Sequence, residues 1–272
     1  MRIMKIKQRR ILPFFMSLLT LLLLPPKLWA NDIAPTGTLR AVYLATNPAQ
    51  ATRDPASGEI RGASADLARE LARRRNVPLK FEPSANPATV IEAIAKGEAD
   101  IGFVAYAPER IGTVEFSQTY MLVQQSFIVP ENSPIKSVKD IDKRGWRISG
   151  GKGDSVTLYL ARNLKEAKLV ETDNTPADAK RKLAANEIDA FGANRQRLTT
   201  MLADMPGYKL LPDSLFGVTQ TIAVPKGKPE VLAEVNRFID EARTSGFLQD
   251  AVKRSGVVGL DAAPTGYDQG KR

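Results

Sequence analysis

The order of apolar runs constrains this chain more than any other feature. GTLRAVYLA reads as a strand, ADLARELARRR as an amphipathic helix opened by Ser64, and LKFEP as a second strand. ATVIEAIAKG then reads as a helix ending on Gly97, and ADIGFVA as a third strand. This β-α-β-α-β order is that of a largely parallel sheet with helices on its faces. It recurs in RGWRISG, SVTLYLARNLKEA, KLVET, ADAKRKLAAN and IDAFGA, so two similar α/β lobes are expected in series. The likeness between them is architectural and not a sequence repeat.

Two segments frame the second lobe, QSFIVPENSP at 125–134 and QTIAVPKGKP at 220–229. Each is a short apolar strand ended by Val-Pro, followed by polar residues and a second proline. EVLAEVNRFIDEARTSGFLQDAVKRSG then reads as two helices split at Gly246. If that pair packs on the first lobe, the chain crosses between lobes twice, and a cleft on two connections can close like a hinge. The expected organisation is lobe 1 from 31–124 plus 220–262, lobe 2 from 125–219, and a loose tail over 263–272, where no apolar period remains.

Residues 1–30 stand apart. MRIMKIKQRR is basic, ILPFFMSLLTLLLL is apolar, and PPKLWA ends on a small residue, the three parts of a cleavable secretory signal and too short a run for a spanning helix. No cysteine lies near the cut, so a soluble, periplasmic chain without a lipid anchor is expected. Removing Arg2, Lys5, Lys7, Arg9, Arg10 and Lys27 lowers the formal charge from +9 to +3, too mild a balance to argue for nucleic acid or an anionic membrane. The absence of cysteine and histidine argues against disulfides, zinc chemistry and triad hydrolysis, so no metal, cofactor or catalytic residue is expected.

Five stretches in order, RGASADLARELARR, GEADIGFVAYAPERIGTVEFSQTY, GGKGDS, ANEIDAFGANR and TIAVPKGKPEVLAEVNRFIDEARTSGF, resemble the periplasmic solute-binding proteins of ABC importers, in the family-3 branch that mostly carries polar amino acids. The resemblance covers nearly the whole mature chain. It implies the type II periplasmic-binding-protein fold, two doubly wound mixed sheets joined by two hinge strands. It also implies a monomer that hands a small carboxylate-bearing solute to an inner-membrane ABC permease.

Arg110, within three residues of the apolar run Ile101–Ala107, is either a turn arginine beside Glu115 or a partner for an anion. The resemblance assigns it the ligand's carboxylate, a role suited to a guanidinium's paired donors. A second anion contact is expected from Gly153, Asp154 and Ser155, where a helix begins at Asp154 or Ser155 and bare amides face out. Asp154 departs from the family pattern and must cap the helix and face away if an anion is to bind.

Asn47, Phe103 and Ala105 are expected at the first-lobe side of the site, and Asn194 at the second. Asn194 stands where amino-acid binders present an aspartate to the ligand's ammonium, Ala105 and Ala107 replace hydroxyl residues, and the segment 47–50 replaces an aromatic cover. An unpaired ammonium beside an arginine is costly, so these losses point to a carboxylate without an obligatory α-ammonium. Asn194 is also expected to cap the helix RQRLTTMLADM, with Arg195 and Arg197 on its wet face. Two competing readings are a periplasmic dehydratase of the prephenate or arogenate type, which needs a buried neutral acid, and a sensor lobe for a membrane receptor.

Overall fold

The computed structural model describes residues 33–45, 47–108, 111–173 and 175–267. The expected signal segment and Arg110 lie outside them. The first half contains β1 (Leu39–Leu44), β2 (Thr52–Arg53), β3 (Ile60–Arg61), α1 (Ala63–Arg74), β4 (Leu79–Ser84), α2 (Pro87–Ala95), β5 (Ile101–Ala105), β6 (Val114–Phe116) and β7 (Met121–Pro130). The second contains β8 (Arg147–Gly151), α3 (Ser155–Asn163), β9 (Lys168–Thr172), α4 (Pro176–Ala184), β10 (Ala190–Asn194), α5 (Arg195–Leu202), β11 (Tyr208–Leu210) and β12 (Phe216–Pro225). The chain ends with α6 (Pro229–Thr244), α7 (Phe247–Arg254) and β13 (Leu260–Ala262).

The two β-α-β-α-β units form the expected parallel triplets, β4-β1-β5 and β10-β8-β9. They are not separate sheets. β12 pairs antiparallel with both β5 and β7, and β7 pairs antiparallel with β10, so hydrogen bonding runs unbroken through both triplets. The two Val-Pro segments are these crossing strands. Each is ten residues long and stops at its proline, Pro130 or Pro225, which cannot donate to a ladder.

The apolar cores divide along the crossing strands. One set gathers Tyr43, Leu67, Phe103 and Tyr120 with Val123, Ile222, Phe238 and Leu260; another gathers Phe127, Ile148, Val156 and Leu160, with a neighbouring group around Phe191 and Leu198. On β7 the change comes between Val123 and Phe127, and on β12 between Phe216 and Val218. α6 and α7 join the first core, as the helical pattern of the tail implies.

Two local expectations change. Ser64 does not open α1: the cap position is Gly62, and the Ser64 hydroxyl sits inside the helix, 2.7 Å from the buried Tyr120 hydroxyl. Burial pushes the Tyr120 phenol pKa up. Ala262 is a strand residue of β13 opposite Met121, and Ala263, expected in the loose tail, is buried with its N–H donating to Tyr120 O at 2.9 Å. Arg243, itself buried, donates Nε to Ala263 O at 2.8 Å and Nη2 to Thr119 O at 3.0 Å, which binds the chain end to the start of β7.

Candidate functional site

The strand register fixes where a site can form. Along β5 the pairs run from Gly102 opposite Ala223 to Ala105 opposite Gln220, and along β10 from Phe191 opposite Ile128 to Asn194 opposite Gln125. Gln220 faces Met121 and Phe216 faces Gln125 across the β12–β7 ribbon. The carboxyl ends of β5 and β10 therefore point toward each other from opposite edges of that ribbon, offset by four residues, or roughly 13 Å at the usual strand rise. Open α/β sheets bind ligands beyond the carboxyl ends of their parallel strands, and here two such ends converge.

On the first-lobe side the loop after β1 is held rather than free. Asn47 is half-buried and forms a turn, its N–H donating to Leu44 O at 3.0 Å and its Oδ1 accepting from Ala49 N at 3.2 Å. Gln50, fully buried, accepts from Leu44 N at 2.9 Å and donates Nε2 to Gln220 Oε1 at 3.0 Å. Gln220 is the residue opposite Ala105, so this buried amide pair ties the loop to the crossing strand. Sequence reasoning missed both glutamines; the signal was a polar residue opening the otherwise apolar run QTIAVP.

Ala105, half-buried, ends β5 as expected. Phe103 does not join it at the site. Its side chain is 0% exposed and sits edge-on to both Phe81 and Tyr120, with ring centres 5.8 Å apart in each case. Phe103 shares a strand face with Ala105, two residues on, but its ring is taken up in the first core, where large aromatic rings bury most area. Arg110, beyond Pro108, lies outside the described residues.

On the second-lobe side β8 leads through Gly153 into α3. Gly153 is exposed with φ +78°, a backbone state that favours glycine and turns the chain into the helix. Asp154 occupies the cap position and Ser155 is the first helical residue, exposed. The Asp154 side chain makes no capping bond. Its Oδ2 instead accepts from Arg197 Nη1 at 3.0 Å, with the two side chains 31% and 22% exposed. Asp154 thus holds the cap position without a capping bond, and its carboxylate turns to α5.

Asn194 does cap: it ends β10, and its Oδ1 accepts from Arg197 N at 2.8 Å. Its neighbours are not on a wet face. Arg195 is half-buried and donates Nη1 to Leu211 O at 3.1 Å and Asp213 O at 3.0 Å. A Cβ placed on Gly259 would come within 2.5 Å of Arg195 Cβ, so the segment entering β13 packs directly on this side chain. Arg197 lies over the Phe191 ring, 5.7 Å from its centre, and turns toward Asp154. Asp154, Asn194 and Arg197 thus form one cluster beyond the carboxyl ends of β8 and β10.

With this geometry in place, the comparison with known sequences is informative: residues 39–255 match the bacterial extracellular solute-binding proteins, family 3. The chain belongs to this family. Among family members, the ABC transporter glutamine-binding protein of Bacillus subtilis is 26% identical over 209 residues, covering 74% of this chain and 75% of that protein. The glutamine-binding protein of Geobacillus stearothermophilus is 30% identical over 169 residues, covering 60% and 63%. A solved structure of an ancestral amino acid-binding protein, described as a precursor of cyclohexadienyl dehydratase, superposes with a TM-score of 0.60 at 24% identity over 82% of this chain and 96% of its own. The fold is the two-lobed α/β fold of periplasmic binding proteins.

Proposed function

We propose that this family-3 protein binds a small carboxylate-bearing solute, an amino acid or an amino-acid-like organic acid, in the cleft over the β7–β12 ribbon and delivers it to an inner-membrane ABC permease. The observation that carries the reading is the convergence of the carboxyl ends of β5 and β10 on one ribbon. In this reading lobe 1 is 31–124 plus 220–262 and lobe 2 is 125–219, and the lobes close on the ligand about β7 and β12. Residues 1–30 are removed on export, and the mature protein works in the periplasm as a monomer. The two relatives named as glutamine-binding proteins support an amino-acid-like ligand.

Arg110 supplies the carboxylate clamp in this reading, with Ala105, Asn47, Gly153, Ser155 and Asn194 around the ligand. Changing Arg110 to Ala should weaken binding by about 30-fold to 5,000-fold, because losing half of a desolvated charge pair costs ~2 to 5 kcal/mol. Arg110→Lys should also weaken it, since an ammonium lacks the paired fork. Calorimetric titration of the mature protein with ligands found by a thermal-shift screen of organic acids and amino acids is the test. Normal binding by Arg110→Ala overturns the clamp.

A second reading follows from the dehydratase-related neighbour. Such chemistry needs a carboxyl group free to exchange a proton with substrate. Asp154, the carboxylate on the cleft wall, is occupied by Arg197, which favours binding without turnover. Assaying prephenate for product release separates the two readings.

A further inference from the structure

Arg197 engages two oxygens on the second-lobe wall. Its main-chain N–H donates to Asn194 Oδ1 at 2.8 Å, and its Nη1 donates to Asp154 Oδ2 at 3.0 Å. These belong to two side chains on this wall that could accept from a ligand's ammonium. We infer that Arg197 is a specificity-determining residue, an internal cation standing where an α-ammonium would be received, so that the cleft selects carboxylates lacking one. The inference rests on the carboxylate-binding reading above and assigns its ligand class.

The physical argument is one of competition. An ammonium that approaches Asp154 comes beside a guanidinium of the same sign and must dislodge it from a carboxylate that is only 31% exposed. A hydrogen, hydroxyl or oxo group at the same carbon brings no such conflict. The cation is also well placed by the fold. Arg197 is in the first turn of α5, fixed by the Asn194 cap, and its guanidinium rests over the Phe191 ring. Arg195, two residues earlier, is directed away to Leu211 O and Asp213 O and cannot exchange roles with it.

The test uses the mature protein and matched pairs, glutamate against glutarate and phenylalanine against 3-phenylpropanoate, titrated by calorimetry. Wild type, Arg197→Met, Arg197→Lys and Asp154→Asn are compared, with thermal unfolding as the check on folding. Wild type should prefer the deaminated member. Arg197→Met should move the affinity ratio toward the amino acid by about tenfold or more, as expected for removing a close charge from a partly buried site. Arg197→Lys should stay near the wild-type ratio, and Asp154→Asn should move it further toward the deaminated member. A ratio unchanged in Arg197→Met, or moved as far by Arg197→Lys, overturns the inference while leaving carboxylate binding intact. Should folded wild type bind no carboxylate at all, the underlying reading fails and the inference with it. If Arg197→Met does not fold, Arg197→Gln, which also removes the charge, takes its place and must move the ratio the same way.

Discussion

Arg147 grips Asp189 at three points: its main-chain N–H and its Nε donate to Oδ2 at 2.8 and 3.0 Å, and its Nη2 donates to Oδ1 at 2.7 Å. Arg40 holds Asp100 in the same way, with 2.8, 3.2 and 2.5 Å. Each arginine also reaches a carbonyl just past the helix that leads into its aspartate, Asn186 O after α4 or Gly97 O after α2. The two lobes thus repeat a side-chain clamp across the amino ends of their parallel strands, the side away from the cleft. Asp100 is 5% exposed and Asp189 22%. Asp100→Ala should therefore cost more, about 2 to 4 kcal/mol, than Asp189→Ala, about 1 to 2 kcal/mol, since the deeper site strands its donors with less access to water. Urea unfolding midpoints at unchanged slope would check the order.

Lobe closure has a scattering signature. The mature protein with a saturating ligand should show a smaller radius of gyration than without. An unchanged radius with ligand bound contradicts motion about the β7–β12 ribbon.

Asn194→Asp alters the wall without removing its cap, because aspartate accepts the Arg197 N–H as well as asparagine does. The added negative charge should weaken a carboxylate ligand by about tenfold and raise amino-acid affinity from a low base. Titration of wild type and variant with glutarate and glutamate reads both effects. Tight binding of glutamate by wild type, with glutarate inert, contradicts the selectivity.

Acid stability should depend on α1. Arg73 donates to Glu70 at 2.8 and 2.9 Å and Arg74 donates to it at 2.8 Å, and these arginines, Arg73 foremost, hold the Glu70 carboxyl down from its ordinary 4.5 to about 2. A depressed carboxylate stabilises the fold above its unfolded value, and that contribution is lost as pH falls toward about 2. The shift sets a ceiling of about 3 kcal/mol, lowered by solvent screening at the exposed Arg73. Unfolding free energy measured from pH 5 to pH 2 should fall less steeply in Glu70→Gln than in wild type.

The alternation of elements was legible because strands and helices announce themselves locally. Pro130 and Pro225 marked the ends of both crossing strands, and Gly246 marked the break between α6 and α7. Asn194 was legible as a cap for the same reason, its partner being three residues away. The rest depended on distant pairing. Asp154 meets Arg197 across 43 positions and Gln50 meets Gln220 across 170, and no local pattern encodes such meetings. Phe103 misled because it shares a strand face with Ala105, and the rings of Phe81 and Tyr120 that take its side chain into the core are distant in sequence.

The last strand has a mechanical consequence. β13 lies along Met121–Val123 of β7, on the edge opposite β12, and Gln124 adds a bond from its N–H to Gly259 O at 2.8 Å and from its Nε2 to Asp261 Oδ2 at 2.6 Å. Over that stretch β7 is flanked by β12 and β13, and from Gln125 onward the edge that β13 covered is taken by β10. In the proposed closure, bending would fall where β13 hands this edge of β7 to β10, between Gln124 facing Gly217 and Gln125 facing Phe216. If the lobes close as proposed, β13 sets the stiffness of the joint, and the length of strand it clamps becomes the dial that tunes how much work a ligand must do to shut the cleft.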